Sequence, residues 1–436
     1  METGGPRILK GTRDFLPHEM LRREYVIQKI KDVFESHGFE PLATPAIEYV
    51  DILTKKYGEE VDKLIYKLSY RDGNTIALRY DLTVPTCRVA AMHQNAIVKP
   101  FKRYQIQPVW RAEKPQKGRL REFYQCDVDI LGSSAMLADA EIISIIYQVL
   151  TALGFKNFKI RINNRKILNA LIEFSDSPEG MGMEIIRSID KWDKIGREGV
   201  QKELEKLHLA PEVIGRVFQL ITLEGSNDEL IGKIGGYLSS SAQGKEGLEE
   251  LQQLFDRLPH FGIPPQVYTL DLCLARGLDY YTGPIYETVV EQPRIGSLTG
   301  GGRYDHLVKD LSGIDLPATG TTIGLERILV VMDELGMFPL PKTMTQAFVA
   351  VFSAELIQQG LETATMLRKA GIRTEIFYES ARISKQLEYA QRKGIPWVVI
   401  LGPDEIALGQ VSLKNMDSGQ QQRITLPEAV KIIKNG

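Results

Sequence analysis

Apolar side chains recur at helical spacing along HEMLRREYVIQKIKDVFESH, residues 18–37, and Gly38 supplies the stop of the helix they predict. A strand-like stretch leads to Thr44-Pro45. Downstream the period shortens to two. Thr75–Arg79 and Val98–Val109 carry alternating and β-branched residues and are expected as strands. Glu122–Leu131 (EFYQCDVDIL) alternates cleanly, with Tyr124, Cys126, Val128 and Ile130 set against Phe123, Gln125, Asp127 and Asp129. With the Lys/Gly-rich stretch Glu113–Leu120 between them, two of these strands predict a long antiparallel hairpin. Ser134–Leu153 returns to a helical pattern.

From roughly residue 175 to 260 aromatics thin out and helical patterns dominate (GVQKELEKLHL, NDELIGKIGGYL, KEGLEELQQLFDRL), as expected of a helical insertion. Strand signals return at Val267–Leu274 and Pro284–Glu291. Gly300–Arg303 is expected as a Gly-rich turn before a helix near 304–311, and another short helix is expected from about Gly324. Pro339-Leu-Pro341 marks a linker. Beyond it QAFVAVF, Leu356–Lys369, RTEIFY, Ile383–Lys393 and WVVIL alternate strand and helix, a small α/β domain. The expected division is therefore residues 1–338 and 339–436, with the insertion inside the first.

At 436 residues, two or three domains are expected. Composition is 43% hydrophobic and 25% charged, which excludes a disordered, collagenous or coiled-coil chain. A formal net charge of −2 excludes nucleic-acid binding by bulk charge, so any polyanion must meet a local patch. The tail from residue 341 carries a net +3 and the remainder −5. Cys87, Cys126 and Cys273 are far apart, odd in number and outside any CxxC, so neither a disulfide framework nor structural zinc is expected, and a reducing cytoplasm fits. The opening residues have no apolar run of the signal-peptide kind, and no run approaches the ~18 to 20 residues of a membrane span.

Standard phosphate and hydrolase signatures are missing. There is no GxxxxGK[ST], no GxGxxG after an opening strand, and no HExxH, GxSxG or kinase pattern. The six histidines are not paired at ligand spacing, and no metal site is expected from protein side chains. Charge concentrates instead in residues 100–125, where Lys102, Arg103, Arg111, Lys114, Lys117, Arg119 and Arg121 face only Glu113 and Glu122. On paired strands, guanidiniums, the Gln125 carboxamide and the Asp129 carboxylate can converge on one sheet surface, where guanidinium forks suit phosphate oxygens. A solvated basic hairpin is the competing reading. Three further stretches hold polar or small residues in apolar surroundings: Arg79–Pro85 (RYDLTVP), Leu274–Glu287 (LARGLDYYTGPIYE) and Gly320–Arg327 (GTTIGLER). Each alone reads equally as capping, aromatic packing or an ordinary helix start.

Together and in this order, they resemble a class II aminoacyl-tRNA synthetase. Phe39–Pro45 resembles its motif 1, Trp110–Glu113 with Arg119–Phe123 its motif 2, and Gly320–Arg327 its motif 3. LARGLDYYTGPIYE, RYDLTVP and GGGRYD at Gly300–Asp305 are similar to signatures of the histidyl-tRNA synthetase family. That resemblance implies an α+β fold: an antiparallel-sheet catalytic core with a helical insertion, plus a C-terminal α/β anticodon-binding domain. It also implies a cytoplasmic homodimer, joined through motif 1, that ligates L-histidine to tRNA(His) with ATP and Mg²⁺. By match of position, Asp81, Leu82, Thr83 and Gln125 lie at the histidine α-amino group, and Asp129 and Tyr280 at its imidazole with Tyr281 beside them. Arg111 and Arg276 match arginines on the α-phosphate, which also border the histidine, Glu113 a residue near the adenine, and Arg119 and Arg327 arginines on the triphosphate tail. Two relatives remain as rivals: the synthetase-like regulatory subunit of ATP phosphoribosyltransferase, and class II enzymes for glycine, proline or threonine. The tail beyond Pro341 argues against the first, and LARGLDYYTG against the second.

Overall fold

The computed structural model describes residues 5–54, 64–70, 73–116, 118–276, 280–379 and 381–435. Lys117, Gly277, Leu278 and Asp279, which fall in the basic loop and the LARGLDYY stretch, lie outside the described residues. The chain forms two compact units, Met1–Arg13 with Tyr25–Met337 and Asp14–Glu24 with Phe338–Gly436.

Strands of the larger unit are, in chain order, β1 (Glu40–Pro41), β2 (Ile47–Tyr49), β3 (Lys67–Ser69), β4 (Thr75–Leu78), β5 (Phe101–Trp110), β6 (Glu122–Leu131), β7 (Lys159–Asn164), β8 (Tyr268–Leu270), β9 (Pro284–Val289), β10 (Thr299–Arg303) and β11 (Ala318–Gly324). Eight of them form one sheet in the order β1-β5-β6-β11-β10-β9-β7-β8. Only β1/β5 and β7/β8 are parallel pairs. The expected hairpin is present, and its register runs from Phe101↔Leu131 to Trp110↔Glu122. A second, antiparallel sheet has the order β2-β4-β3.

One face of the large sheet is covered by the helix Met136–Ala152, whose Ile142, Ile143, Ile145, Ile146 and Val149 are all fully buried. An apolar surface all round is what a helix in a core requires. The insertion is helical, with Arg165–Ser175, Gly182–Ile189, Trp192–Lys206, Pro211–Ile221, Asn227–Tyr237 and Ala242–Arg257 lying between β7 and β8 in sequence. Alternation in β6 puts Cys126, Val128 and Ile130 on one side and Gln125, Asp127 and Asp129 on the other, yet both sets are buried. The polar set is enclosed rather than solvated, which makes that face a candidate for chemistry.

Two expectations fail. Gly300–Arg303 is no turn: it lies within strand β10, paired on both sides. The glycines are there for close approach. A Cβ on Gly301 would strike the Gly320 carbonyl and come within 2.7 Å of Thr321 Cα. Val267–Leu274 is strand only over Tyr268–Leu270. Asp271 accepts a hydrogen bond from the Cys273 amide (2.9 Å), an Asx turn that takes the chain out of the sheet.

The smaller unit has β12 (Ala347–Val351), β13 (Thr374–Ile376), β14 (Trp397–Leu401), β15 (Val411–Asn415) and β16 (Gln421–Ile424), in the order β13-β12-β14-β15-β16. β12 runs parallel to both neighbours, and every residue of AFVAV is buried, as a strand covered on two faces must be. Helices Ile357–Lys369 and Ile383–Lys393 make the crossovers. Among the described residues, no helix is long and apolar enough to cross a membrane.

Gly301→Ala will destabilise the larger unit by about 1–3 kcal/mol or more, because backbone cannot yield as a side chain can. Gly236→Ala, in a helix with nothing within 4 Å of the added methyl, will stabilise by roughly 0.5–1 kcal/mol. Urea midpoints of the two variants measure the contrast.

Candidate active site

A cavity of about 520 Å³ opens at the ends of β5, β6, β10 and β11. Arg111, Glu113, Arg119, Phe123, Gln125, Arg276, Glu287, Thr322, Glu326 and Arg327 line it, together with Trp192, Asp193 and Lys194 from the insertion. Residues more than two hundred positions apart meet here because the antiparallel order sets β11 between β6 and β10.

Each arginine is held by its own local contacts. Arg111 donates from Nε to the Tyr80 carbonyl (3.2 Å) and lies between two rings, 4.3 Å from the Tyr80 centroid and 5.1 Å from that of Phe123. Arg276 donates to the Thr299 carbonyl (3.2 Å) and faces Glu287 at 3.5 Å. It crosses directly over Gly300, where a Cβ would collide with its guanidinium. Arg327 donates to the Ser297 carbonyl at 2.6 Å and crosses Gly296. Arg119 pairs with Glu113, which also accepts from the Tyr80 hydroxyl (3.4 Å). Burial lowers the Arg327 pKa first, and the neighbouring charges of Arg276, Arg119 and Arg111 lower it further, against a raising influence from Glu287. Arg327 thus sits half-buried among three other guanidiniums, whose charge Glu287 offsets only in part.

Behind this cluster lies the carboxylate set. Asp81, Asp127 and Asp129 are 3%, 3% and 4% exposed. Asp81 accepts from the Val84 amide (3.0 Å), the capping role that RYDLTVP suggested on its own. Asp127 accepts from the Gln125 amide at 3.4 Å, and its pKa is raised to about 7, by burial first, with Arg103 opposing and Asp129 and Asp81 adding to the rise. Asp129 meets Arg103 at 2.5 Å and accepts from the Tyr304 hydroxyl at 2.5 Å. Gln125 also donates to Thr322 Oγ1 (3.3 Å), which leaves its buried Oε1 without a hydrogen-bond donor. Such an orphan acceptor at a cavity wall is a place for a donor from a ligand.

Arg111, Glu113, Arg119, Gln125, Arg276 and Arg327 therefore come together around one cavity. Asp81, Thr83, Asp129, Tyr280 and Tyr281 do not line it. They lie deeper, with the two tyrosine rings stacked obliquely at 4.2 Å and Tyr280 packed in a cluster with Tyr304. Burial raises both phenols, Tyr281 to about 12, so they stay neutral donors. Leu82 is fully buried in the core, and its carbonyl is taken by Thr86, so its side chain offers the cavity nothing. The basic hairpin is solvated only in part: Lys114 and Arg119 are exposed, whereas Arg103 is wholly buried. Asp127, Thr322, Glu287 and Glu326 were not singled out from sequence. Asp127 was legible in the alternation of Gln125, Asp127 and Asp129, while the other three needed strand order.

A family model described as histidyl-tRNA synthetase matches residues 11–328, and one described as anticodon binding domain matches 346–436. A histidine–tRNA ligase from Gloeobacter violaceus is 42% identical, over 97% of this chain and 97% of that protein. One from Aeropyrum pernix is 42% identical over 99% of each. The crystal structure of histidyl-tRNA synthetase from Nostoc sp. PCC 7120 matches with a TM-score of 0.88 at 33% identity, covering 100% of this chain and 99% of that one. With the greater part of its length matched and its arginines gathered as the motifs require, the chain belongs to the histidyl-tRNA synthetase family.

Proposed function

We propose that this protein joins L-histidine to tRNA(His) in two steps, with ATP as the activating substrate. One observation carries the reading of the site: Arg111, Arg119, Arg276 and Arg327 are gathered around one cavity of nucleotide size, close enough that three of them lower the pKa of the fourth. A polyanion with several phosphates relieves that field.

In the first step a histidine carboxylate oxygen attacks the α-phosphorus of ATP. A new P–O bond forms, the bond to the β-phosphate oxygen breaks, and pyrophosphate leaves. The nucleophile is already ionised, so neither a base nor an enzymic nucleophile is required. Two anions must be aligned and their charge stabilised. Arg111 and Arg276 act as the catalytic pair on the α-phosphoryl oxygens, both already fixed by carbonyl hydrogen bonds and, for Arg111, by two rings. Arg119 and Arg327 hold the departing end, and Glu113 lies toward the adenine. The 3′-hydroxyl of the terminal ribose of tRNA then attacks the mixed anhydride, and AMP leaves.

No group of three or more His, Cys, Asp or Glu among the described residues can hold a metal. Mg²⁺ on a phosphate substrate asks only for one or two carboxylates besides the phosphate oxygens. Glu287 and Glu326 at the cavity wall fit that need. Bound there, Mg²⁺ screens charge on the pyrophosphate end.

The histidine ammonium is placed against Gln125 Oε1, Asp81 and Thr83, with Leu82 contributing only backbone. The imidazole is placed against Asp129, with Tyr280 and Tyr281 beside it. A site whose polar groups pair a substrate N–H rejects an apolar substitute by roughly 10⁴-fold without editing. We assign residues 1–338 to catalysis, with the insertion at about 175–260, and 339–436 to the anticodon. An anticodon-binding match over 346–436 weighs against the regulatory-subunit alternative. Exposed Ile47, Tyr49, Leu68 and Tyr70 on and beside the small sheet form an apolar patch that supports a homodimer. A cytoplasmic location agrees with three buried cysteines that form no disulfide.

ATP–pyrophosphate exchange tests the whole reading: of the amino acids tried singly, histidine alone will support it. Arg276→Ala and Arg111→Ala will each lower the exchange rate by about 10²-fold or more, the usual loss for one preorganised donor. Asp129→Ala will raise the histidine KM by at least ~10-fold while leaving the ATP KM within a factor of about two, as befits a lost hydrogen bond to a charged group. An unchanged histidine KM removes Asp129 from ring recognition.

A further inference from the structure

Arg103 is a guanidinium near the site that lies wholly out of reach of a substrate. It is 0% exposed, in the middle of β5, directly across the ladder from Asp129. Yet its charge pairs with Asp129 and acts on Asp127, two of the buried carboxylates beside the proposed histidine slot. We propose that Arg103 is a positioning and specificity-determining residue: a buried counter-ion that keeps Asp127 and Asp129 as oriented anions, so that the amino acid's ammonium and ring N–H groups meet acceptors. The inference rests on the reading of the site given above.

Geometry supports it in three ways. First, Asp129 is gripped from both ends, Oδ2 by Arg103 and Oδ1 by the Tyr304 hydroxyl, each at 2.5 Å. Gly320, its neighbour across the other ladder, leaves the space that the carboxylate fills, since a Cβ there would overlap Asp129 Oδ1. The carboxylate therefore has one fixed orientation. Second, the approach of Arg103 is that of two charges rather than an aligned hydrogen bond. Its Nε and Nη2 have no hydrogen-bond partner among the described residues. A guanidinium kept dry with donors unused is costly for the fold and acts chiefly through its field. Third, the groups that face Asp127 are Gln125 and Asp129 on β6, Arg103 on β5, Thr322 on β11, Asp81 before the helix Thr83–Met92 and the neutral phenol of Tyr281 before β9. Arg103 is the only cation among them. Buried carboxylates this close cannot all remain ionised without it.

The sign follows. Burial and two neighbouring carboxylates raise the Asp127 pKa, and Arg103 is the chief influence that lowers it. Without Arg103, Asp127 holds its proton to higher pH. A protonated carboxyl presents a donor where the substrate's N–H requires an acceptor. Histidine use is then lost earlier as pH falls.

The experiment compares steady-state exchange kinetics of the full-length protein and Arg103→Met from pH 6 to pH 9. Wild-type exchange with histidine is measured first, and its absence would overturn the proposed function itself. Given that activity, Arg103→Met is expected to raise the histidine KM about 10-fold or more, with the ATP KM within a factor of about two. The acid limb of kcat/KM for histidine is expected to move up by about one pH unit. The substrate's own ring titrates identically in both proteins and cancels. Arg103→Lys, which restores the charge, is expected to recover most of the loss and return the limb. Should Arg103→Met fail to fold, Arg103→Met/Asp127→Asn removes one buried charge of each sign and is expected to fold with the histidine defect retained. Equal changes in both KM values, or an unmoved acid limb with a loss that Arg103→Lys does not repair, would reduce Arg103 to a structural ion pair and overturn the inference.

Discussion

Like charges held close together are the constraint around which this site is arranged. Four guanidiniums border one cavity, and each is tied to a backbone carbonyl, an aromatic face or a glutamate rather than left to swing away. Burial first, and then their repulsion, lowers the pKa of Arg327. Holding them costs stability, and only a rigid sheet can bear the strain. In return the cations are fixed in place beforehand, which is the condition under which a preorganised charge lowers a barrier.

The sheet meets that demand by close packing. Gly300, Gly301 and Gly320 remove side chains where Arg276, the neighbouring strand and Asp129 must pass. A glycine run in a strand interior ordinarily weakens it. Here the lost side-chain contacts are offset by β9 and β11 on the two sides of β10 and by the apolar helix Met136–Ala152 covering the sheet. Fold and site thus use the same residues, and a methyl group added to this strand threatens both.

A division of labour also emerges across the site. The mouth of the cavity is cationic and partly open, suited to phosphates. Outside its lining, Asp81, Asp127 and Asp129 form a separate, buried carboxylate set. Arg103 and Tyr304 hold the two oxygens of Asp129 and fix its orientation.

Local pattern was enough to read the long hairpin, the buried helix at Met136–Ala152 and the alternating unit beyond Pro341, because each rests on a period of two or 3.6 within a single segment. Motif order likewise pointed to the arginines at 111, 119, 276 and 327, which share one cavity. What pattern misjudged were features that depend on neighbours distant in sequence. GGGR looked like a turn until β9 and β11 were seen on either side of it. Arg103 looked like one more basic residue of a solvated hairpin until burial set it against Asp129. Asp127 shares a face with Gln125 and Asp129 by simple alternation, but its charge state depends on Arg103, Thr322 and Asp81, which strand order alone brings near. Side-chain period is a property of one strand and can be read along it. Electrostatic environment is a property of the space between strands, and only the fold determines it.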